Sequence, residues 1–104
     1  MNDLEPTEFY LGQNYPNPFS ERTTIKFCVA YKAKIKLEVF DSEGNMIKEL
    51  LDEIKEAGTY EVEYQSAVHN PQSANEIYFY QLEAGDFLSR KKMLIQNQTE
   101  YKRS

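Results

Sequence analysis

Tryptophan is absent from this chain of 104 residues, and cysteine and histidine occur once each. One cysteine, Cys28, cannot close an internal disulfide, so no disulfide framework holds the fold. It stands inside an apolar stretch and reads as a small strand residue. His69 lies beside Asn70 and Pro71 in a polar stretch, far from Cys28 in sequence. That spacing offers no ligand set for a metal, so His69 reads as an exposed loop residue and no metal is expected. Cations are scarce: 12 Lys and Arg stand against 17 Asp and Glu, a net charge of −5. A nucleic-acid partner needs a basic face, so none is expected. No apolar run approaches the ~20 residues that cross a bilayer, so no membrane insertion is expected. Met1–Pro6 is acidic and lacks the apolar centre of a signal peptide. The chain therefore reads either as cytosolic or as part of a protein whose export signal lies elsewhere.

What is present is a β composition. Hydrophobic residues make up 40% of the chain, and its rings are eight Tyr and six Phe. Aromatic residues suit a pleated, half-buried surface, and Tyr suits a strand with one wet end. A length near ~100 residues fits one small sandwich domain.

The stretch Asn14-Tyr15-Pro16-Asn17-Pro18-Phe19 is the most distinctive local feature. Each proline fixes φ and removes a backbone donor. Each also pushes the residue before it toward extended conformations. The expectation is a stiff, extended lead-in with an aromatic anchor at each end, feeding a strand.

Strands follow from period-2 alternation. Phe9-Tyr10-Leu11 suits a short first strand. In Thr23–Val29 the apolar Ile25, Phe27 and Val29 alternate with polar residues. Lys34–Phe40 places Ile35, Leu37 and Val39 on one face and Lys34, Lys36 and Glu38 on the other. Asp41–Asn45, with Gly44, has the chemistry of a tight hairpin turn. Met46–Ile54 returns from it. Its apolar residues Ile47, Leu50, Leu51 and Ile54 also fit helical spacing, but a helix would begin inside the hairpin signal, so a strand is expected. Ala57-Gly58 turns into the strand Thr59–Tyr64. Residues 65–75 form the longest loop. Ile77–Leu82 is continuously apolar and aromatic, as a central strand covered on both faces would be. Gly85-Asp86 closes another hairpin, and Phe87–Ile95 is the last strand. The expected organisation is a lead over residues 1–8, a domain over 9–96 and a flexible tail over 97–104. The expected fold is all-β, an immunoglobulin-like or fibronectin-like antiparallel sandwich of about seven strands.

Nothing in the chain composes a reactive centre. Glu61 and Glu63 fall on the wet face of a strand, and Glu49, Asp52, Glu53 and Glu56 flank a turn, so solvated charge accounts for them. Asp41–Asn45 departs from a calcium loop: its glycine is fourth rather than sixth, and Asp52 occupies the twelfth position. Asn97-Gln98-Thr99 fits the glycosylation triplet, which is common by chance. Arg90-Lys91-Lys92 reads as a solvated strand edge, where Lys guards against unwanted pairing. An enzyme is not expected, nor is a cofactor.

The ordered set Asn14–Phe19, Thr23–Phe27, Leu37–Asp41 with Gly44, Leu50-Leu51, Ala57–Tyr60, Ile77–Leu82, Gly85–Phe87 and Lys91–Leu94 resembles the C-terminal sorting domain of type IX secretion cargo. The family is similar in fold to the immunoglobulin-like domain of flagellar hook-capping proteins. The resemblance implies a non-catalytic β-sandwich that directs an attached cargo across the outer membrane. Its implied partners are the fused upstream cargo, the outer-membrane secretion machinery and a surface sortase. Its implied location is the cell surface or the medium, reached through the periplasm; a standalone copy would be cytoplasmic. The recognition residues it implies are Tyr15, Pro16, Asn17, Pro18 and Phe19 in the first motif, Gly85 and Asp86 in the turn motif, and Lys91 and Lys92 in the last strand. Asn75-Glu76 stands where the family usually has a small residue and Gly, so a turn built differently is expected there. Two other readings remain at this point: a surface module binding carbohydrate or protein, with Tyr31, Tyr64 or Tyr101 stacking on sugars, and a standalone assembly domain.

Overall fold

In the computed structural model, residues 8–66 and 75–96 are described, and they form seven strands and no helix. His69, Tyr101, the Asn97 triplet, residues 1–7 of the lead, the tail and most of the long loop lie outside the described residues. Among the described residues no helix is long and apolar enough to cross a membrane. The strands are β1 (Tyr10–Leu11), β2 (Arg22–Val29), β3 (Ala33–Phe40), β4 (Met46–Lys55), β5 (Gly58–Gln65), β6 (Asn75–Ala84) and β7 (Phe87–Gln96).

They make two antiparallel sheets, ordered β1-β2-β5 and β4-β3-β6-β7. The alternation read from the sequence sets which side chains lie between them. Thr23, Ile25, Phe27 and Val29 of β2 are buried, as are Ile35, Leu37 and Val39 of β3, Tyr80, Leu82 and Ala84 of β6, and Met93 and Ile95 of β7. Each Val, Leu, Ile, Phe or Met side chain among these contributes ~1.5–3 kcal/mol when removed from water. That burial fixes register, because a one-residue slip would turn the whole apolar set outward.

One expectation changes. Strand β6 is central, flanked by β3 and β7, but only its inner face is covered. Ile77 on its outer face is 42% exposed, and Phe79 there is half-buried. A two-layer sandwich has no third layer to cover that face, and the guanidinium of Arg90 lies over Phe79 instead, 5.9 Å from the ring centroid. The helical spacing in β4 also has a strand explanation. Its register against β3 shifts between Leu37 and Glu38 and again between Val39 and Phe40, leaving Leu50 and Ile47 as extra residues. Each bulge resets the alternation. Leu50 and Leu51 consequently both pack against the core although they are adjacent.

The turns follow their chemistry. The carboxylate of Asp41 accepts hydrogen bonds from the backbone amides of Glu43 and Asn45, each at 2.9 Å. The Asn45 amide bond leads the effects that hold the Asp41 carboxyl below its usual range. Gly85 sits at φ +61° in a two-residue hairpin between Ala84 and Phe87, a conformation that costs other residues. Asn75 and Glu76 need no special turn: they already pair with Gln96 and Ile95.

Candidate recognition surface

The proline stretch is not a straight lead-in. Tyr15 bridges to Thr24 of β2 in one sheet, and Phe19 bridges to Ile95 of β7 in the other. Residues 16–18 bend between them, and the Tyr15–Pro16 and Asn17–Pro18 peptide bonds are both cis. The local preference for extension yields here to main-chain bonds on both sheets. The amide of Tyr15 donates to Thr24 O at 2.9 Å, and the amide of Phe19 donates to Leu94 O at 3.0 Å. Only one of the two expected anchors is seated. Phe19 is 2% exposed and meets Tyr64 edge to face, whereas Tyr15 is 80% exposed.

A buried polar cluster holds this crossing, and the sequence reading had not singled it out. Asn14 and Thr23 are both buried. Asn14 Nδ2 donates to Pro16 O and to Thr23 Oγ1, each at 3.1 Å, and Thr23 Oγ1 donates to Pro16 O at 2.8 Å. The Asn14 amide donates to Tyr80 Oη, and Tyr80 Oη donates to Gly12 O, both at 2.7 Å. Asn14 Oδ1 accepts from Gln13 Nε2 at 2.7 Å, so the side-chain polar atoms of Asn14, Thr23 and Tyr80 each have a partner, as burial demands. Burial pushes the Tyr80 phenol up to about 12, so it remains a neutral donor. The one available sequence signal was the position of Asn14 at the head of the proline stretch.

The crossing covers part of the β7 edge. In the β6–β7 register, Leu88, Arg90, Lys92, Leu94 and Gln96 turn their backbone groups away from β6. Gln13 Nε2 donates to Lys92 O at 2.7 Å, and the Leu94 amide donates to Asn17 Oδ1 at 2.9 Å. Leu94 O accepts from Phe19, and the Gln96 amide donates to Phe19 O at 2.7 Å. Among the described residues the outward backbone groups of Leu88 and Arg90 make no hydrogen bond, although β1 runs beside β7 and Phe9 stacks on Phe87 at 5.7 Å; the Leu88 side chain is 61% exposed.

The expected recognition residues therefore divide. Tyr15–Phe19 meet the far half of β7, beside Lys92. Gly85 and Asp86 stand at the other end of that strand, about 25 Å away at the rise of a β-strand. Lys91 and Lys92 are adjacent in sequence but point to opposite faces. Lys91 is half-buried on the inner side, opposite Tyr80, and Lys92 is exposed on the outer side, opposite Phe79.

Charge is also divided. Arg22, Lys26, Lys32, Lys34, Lys36 and Lys55 each pair with a carboxylate at 3.1–4.0 Å. Among the described residues, the cations outside such pairs are Lys48, Arg90, Lys91 and Lys92. Three of them are consecutive on the β7 edge, in a chain of net charge −5.

Among the described residues, no group of three or more His, Cys, Asp or Glu is arranged to hold a metal. A groove of about 350 Å³ between β4 and β5 is lined by Lys48, Leu50, Glu63, Tyr64 and Gln65, and its Glu63 is paired with Arg22. Of the tyrosines expected to stack on sugars, Tyr64 is 3% exposed and belongs to the core, because its register position faces inward. Tyr31 is exposed but packs edge to face on Phe9 at 5.0 Å.

Comparison with known proteins adds the family. No curated protein and no solved structure matches the chain, hook-capping proteins included. The family model described as the secretion system C-terminal sorting domain matches residues 13–96, which run from the residue that caps Lys92 to the end of β7. The chain belongs to this family of type IX secretion sorting domains, non-catalytic signals whose place implies a cargo protein bound for the surface or the medium and a machinery that exports it.

Proposed function

We propose that the secretion machinery at the outer membrane reads this domain, taken as residues 9–96, in its folded state through the edge of β7. The observation that carries the reading is the run Arg90-Lys91-Lys92. Among the described residues it is free of ion pairs in a domain that pairs most of its other cations, and it lies on an edge where the outward backbone groups of Leu88 and Arg90 make no hydrogen bond. An added strand would bond to those groups, and the cations would select an acidic one. Gly85 and Asp86 form the hairpin that presents this end. Tyr15, Pro16, Asn17, Pro18 and Phe19 close the other end, which limits the readable stretch. Removal of the domain by a surface sortase after transit is supported by family membership alone.

The test is a reporter with an export leader fused ahead of the whole chain. The wild-type fusion is expected at the cell surface or in the medium. Reversing the exposed charge, Lys92→Glu, is expected to hold it in the periplasm with little change in thermal stability; Lys91 is left in place because it is half-buried on the inner side. Leu88→Pro is the sharper variant. The Leu88 amide points away from β6, so proline removes an outward donor without breaking the ladder. Normal export of both variants overturns the reading.

A further inference from the structure

The outer face of the four-stranded sheet carries a row that crosses every strand: Met46, Phe40, Phe79 and Lys92, paired in that order. Neighbouring strands lie ~4.8 Å apart, so the row is about 14 Å long. Met46 is 53% exposed, and beside the row Ile77 is 42% exposed. Apolar side chains on a wet sheet face call for an explanation when they are contiguous.

Arg90 lies across this row. Its guanidinium carbon is 5.0 Å from the Phe40 centroid and 5.9 Å from that of Phe79, a cation–π arrangement over both rings. Gln81 Oε1 accepts from Nε at 3.2 Å and from Nη2 at 3.1 Å. One side of the guanidinium is thus hydrogen-bonded. Its remaining fork, Nη1 with the second Nη2 proton, has no protein partner among the described residues. The nearest carboxylate in the adjacent row, Glu38 across from Gln81, is paired with Lys36 at 4.0 Å. A planar donor fork oriented by Gln81 and the two rings, flanked by an unpaired Lys92, matches a carboxylate in two-point geometry.

We infer that this face is a docking site for an extended acidic segment of a partner protein, in which a carboxylate side chain takes the free fork of Arg90 and a neighbouring apolar side chain lies along Phe79 and Ile77. The occupant is a protein segment because the surface pairs one oriented carboxylate-sized donor site with apolar contact area, whereas a lipid surface asks only for diffuse positive charge. The inference rests on the sorting reading, and it adds Arg90, Phe40, Phe79 and Ile77 to the residues that the machinery meets.

The experiment is a nuclear magnetic resonance titration of the whole chain with the peptide acetyl-Asp-Phe-Asp-Leu-Asp-amide. The expected result is salt-sensitive binding that shifts the Arg90 Nε–H and the amides of Phe40, Phe79 and Ile77. Arg90→Lys keeps the charge but loses the fork, and it should weaken binding about tenfold, as should replacing each Asp of the peptide by Asn. Absence of shifts, or Arg90→Lys binding as the wild type does, overturns the site. Equal shifts at the same residues with phosphatidylglycerol vesicles overturn the protein-segment assignment. Should the titration fail while the wild-type reporter fusion is exported, the Arg90 site falls and the sorting reading stands. Should the wild-type fusion stay in the periplasm, the sorting reading falls whatever the peptide does.

Discussion

The side chain of Asn17 takes the place of a neighbouring strand for Leu94: its Oδ1 accepts the outward Leu94 amide at 2.9 Å, across 77 residues of sequence. A residue between two prolines thereby closes the edge of the last strand. Asn17→Ala should cost about 1 kcal/mol in urea unfolding, the usual net worth of such a bond. Its specific mark is faster hydrogen exchange at Leu94 than at Met93, whose backbone bonds inward.

Tyr80 ties the same crossing from within, since its hydroxyl serves both Gly12 O and the Asn14 amide. Tyr80→Phe removes one hydroxyl and leaves two buried backbone groups unmatched. A loss of roughly 1–3 kcal/mol is expected by denaturant unfolding, with the sheet content unchanged by circular dichroism.

Alkaline pH should weaken the fold through tyrosines. Burial pushes Tyr80 up to about 12, and burial followed by the Glu76 carboxylate pushes Tyr78 up to about 12. Ordinary tyrosine ionises near pH 10. Between those values the folded chain holds protons that the unfolded chain has released, so stability falls as pH rises from 10 toward 12. Unfolding midpoints taken across this window, with phenolate absorbance, check the sign: rising stability would refute it.

Gly85 occupies φ +61°, and a Cβ placed there would meet no atom within 4 Å. Gly85→Ala therefore tests backbone conformation alone. A cost of about 1 kcal/mol is expected in thermal or urea unfolding.

Much of this molecule was legible in its sequence because alternation and turn chemistry are local. Alternation alone puts Ile35, Leu37 and Val39 on one face, and turn chemistry alone puts Gly85-Asp86 in a tight hairpin, without tertiary information. The proline stretch was misread for the opposite reason. Its local bias is extension, but Tyr15 and Phe19 bond to different sheets, and that contest is decided by partners distant in sequence. In β4, two bulges against β3 produced a spacing that copies a helix. Lys91 and Lys92 formed one motif on the page, yet the pleat sends adjacent side chains to opposite faces. Asn14 and Thr23 could not be told from loop and strand polar residues until Tyr80 and Pro16 O were brought beside them. Arg90 was grouped with the lysines, and only the cross-strand row of Phe40 and Phe79 separates it.

The most direct measurement is site-specific photocrosslinking during export. A photoreactive residue is placed at Leu88, on the β7 edge, and in a second fusion at Thr59, on the β5 edge of the other sheet. The Leu88 probe should crosslink to an outer-membrane component of the secretion machinery, and the Thr59 probe should not. Crosslinking from Thr59 with silence at Leu88 would contradict the account.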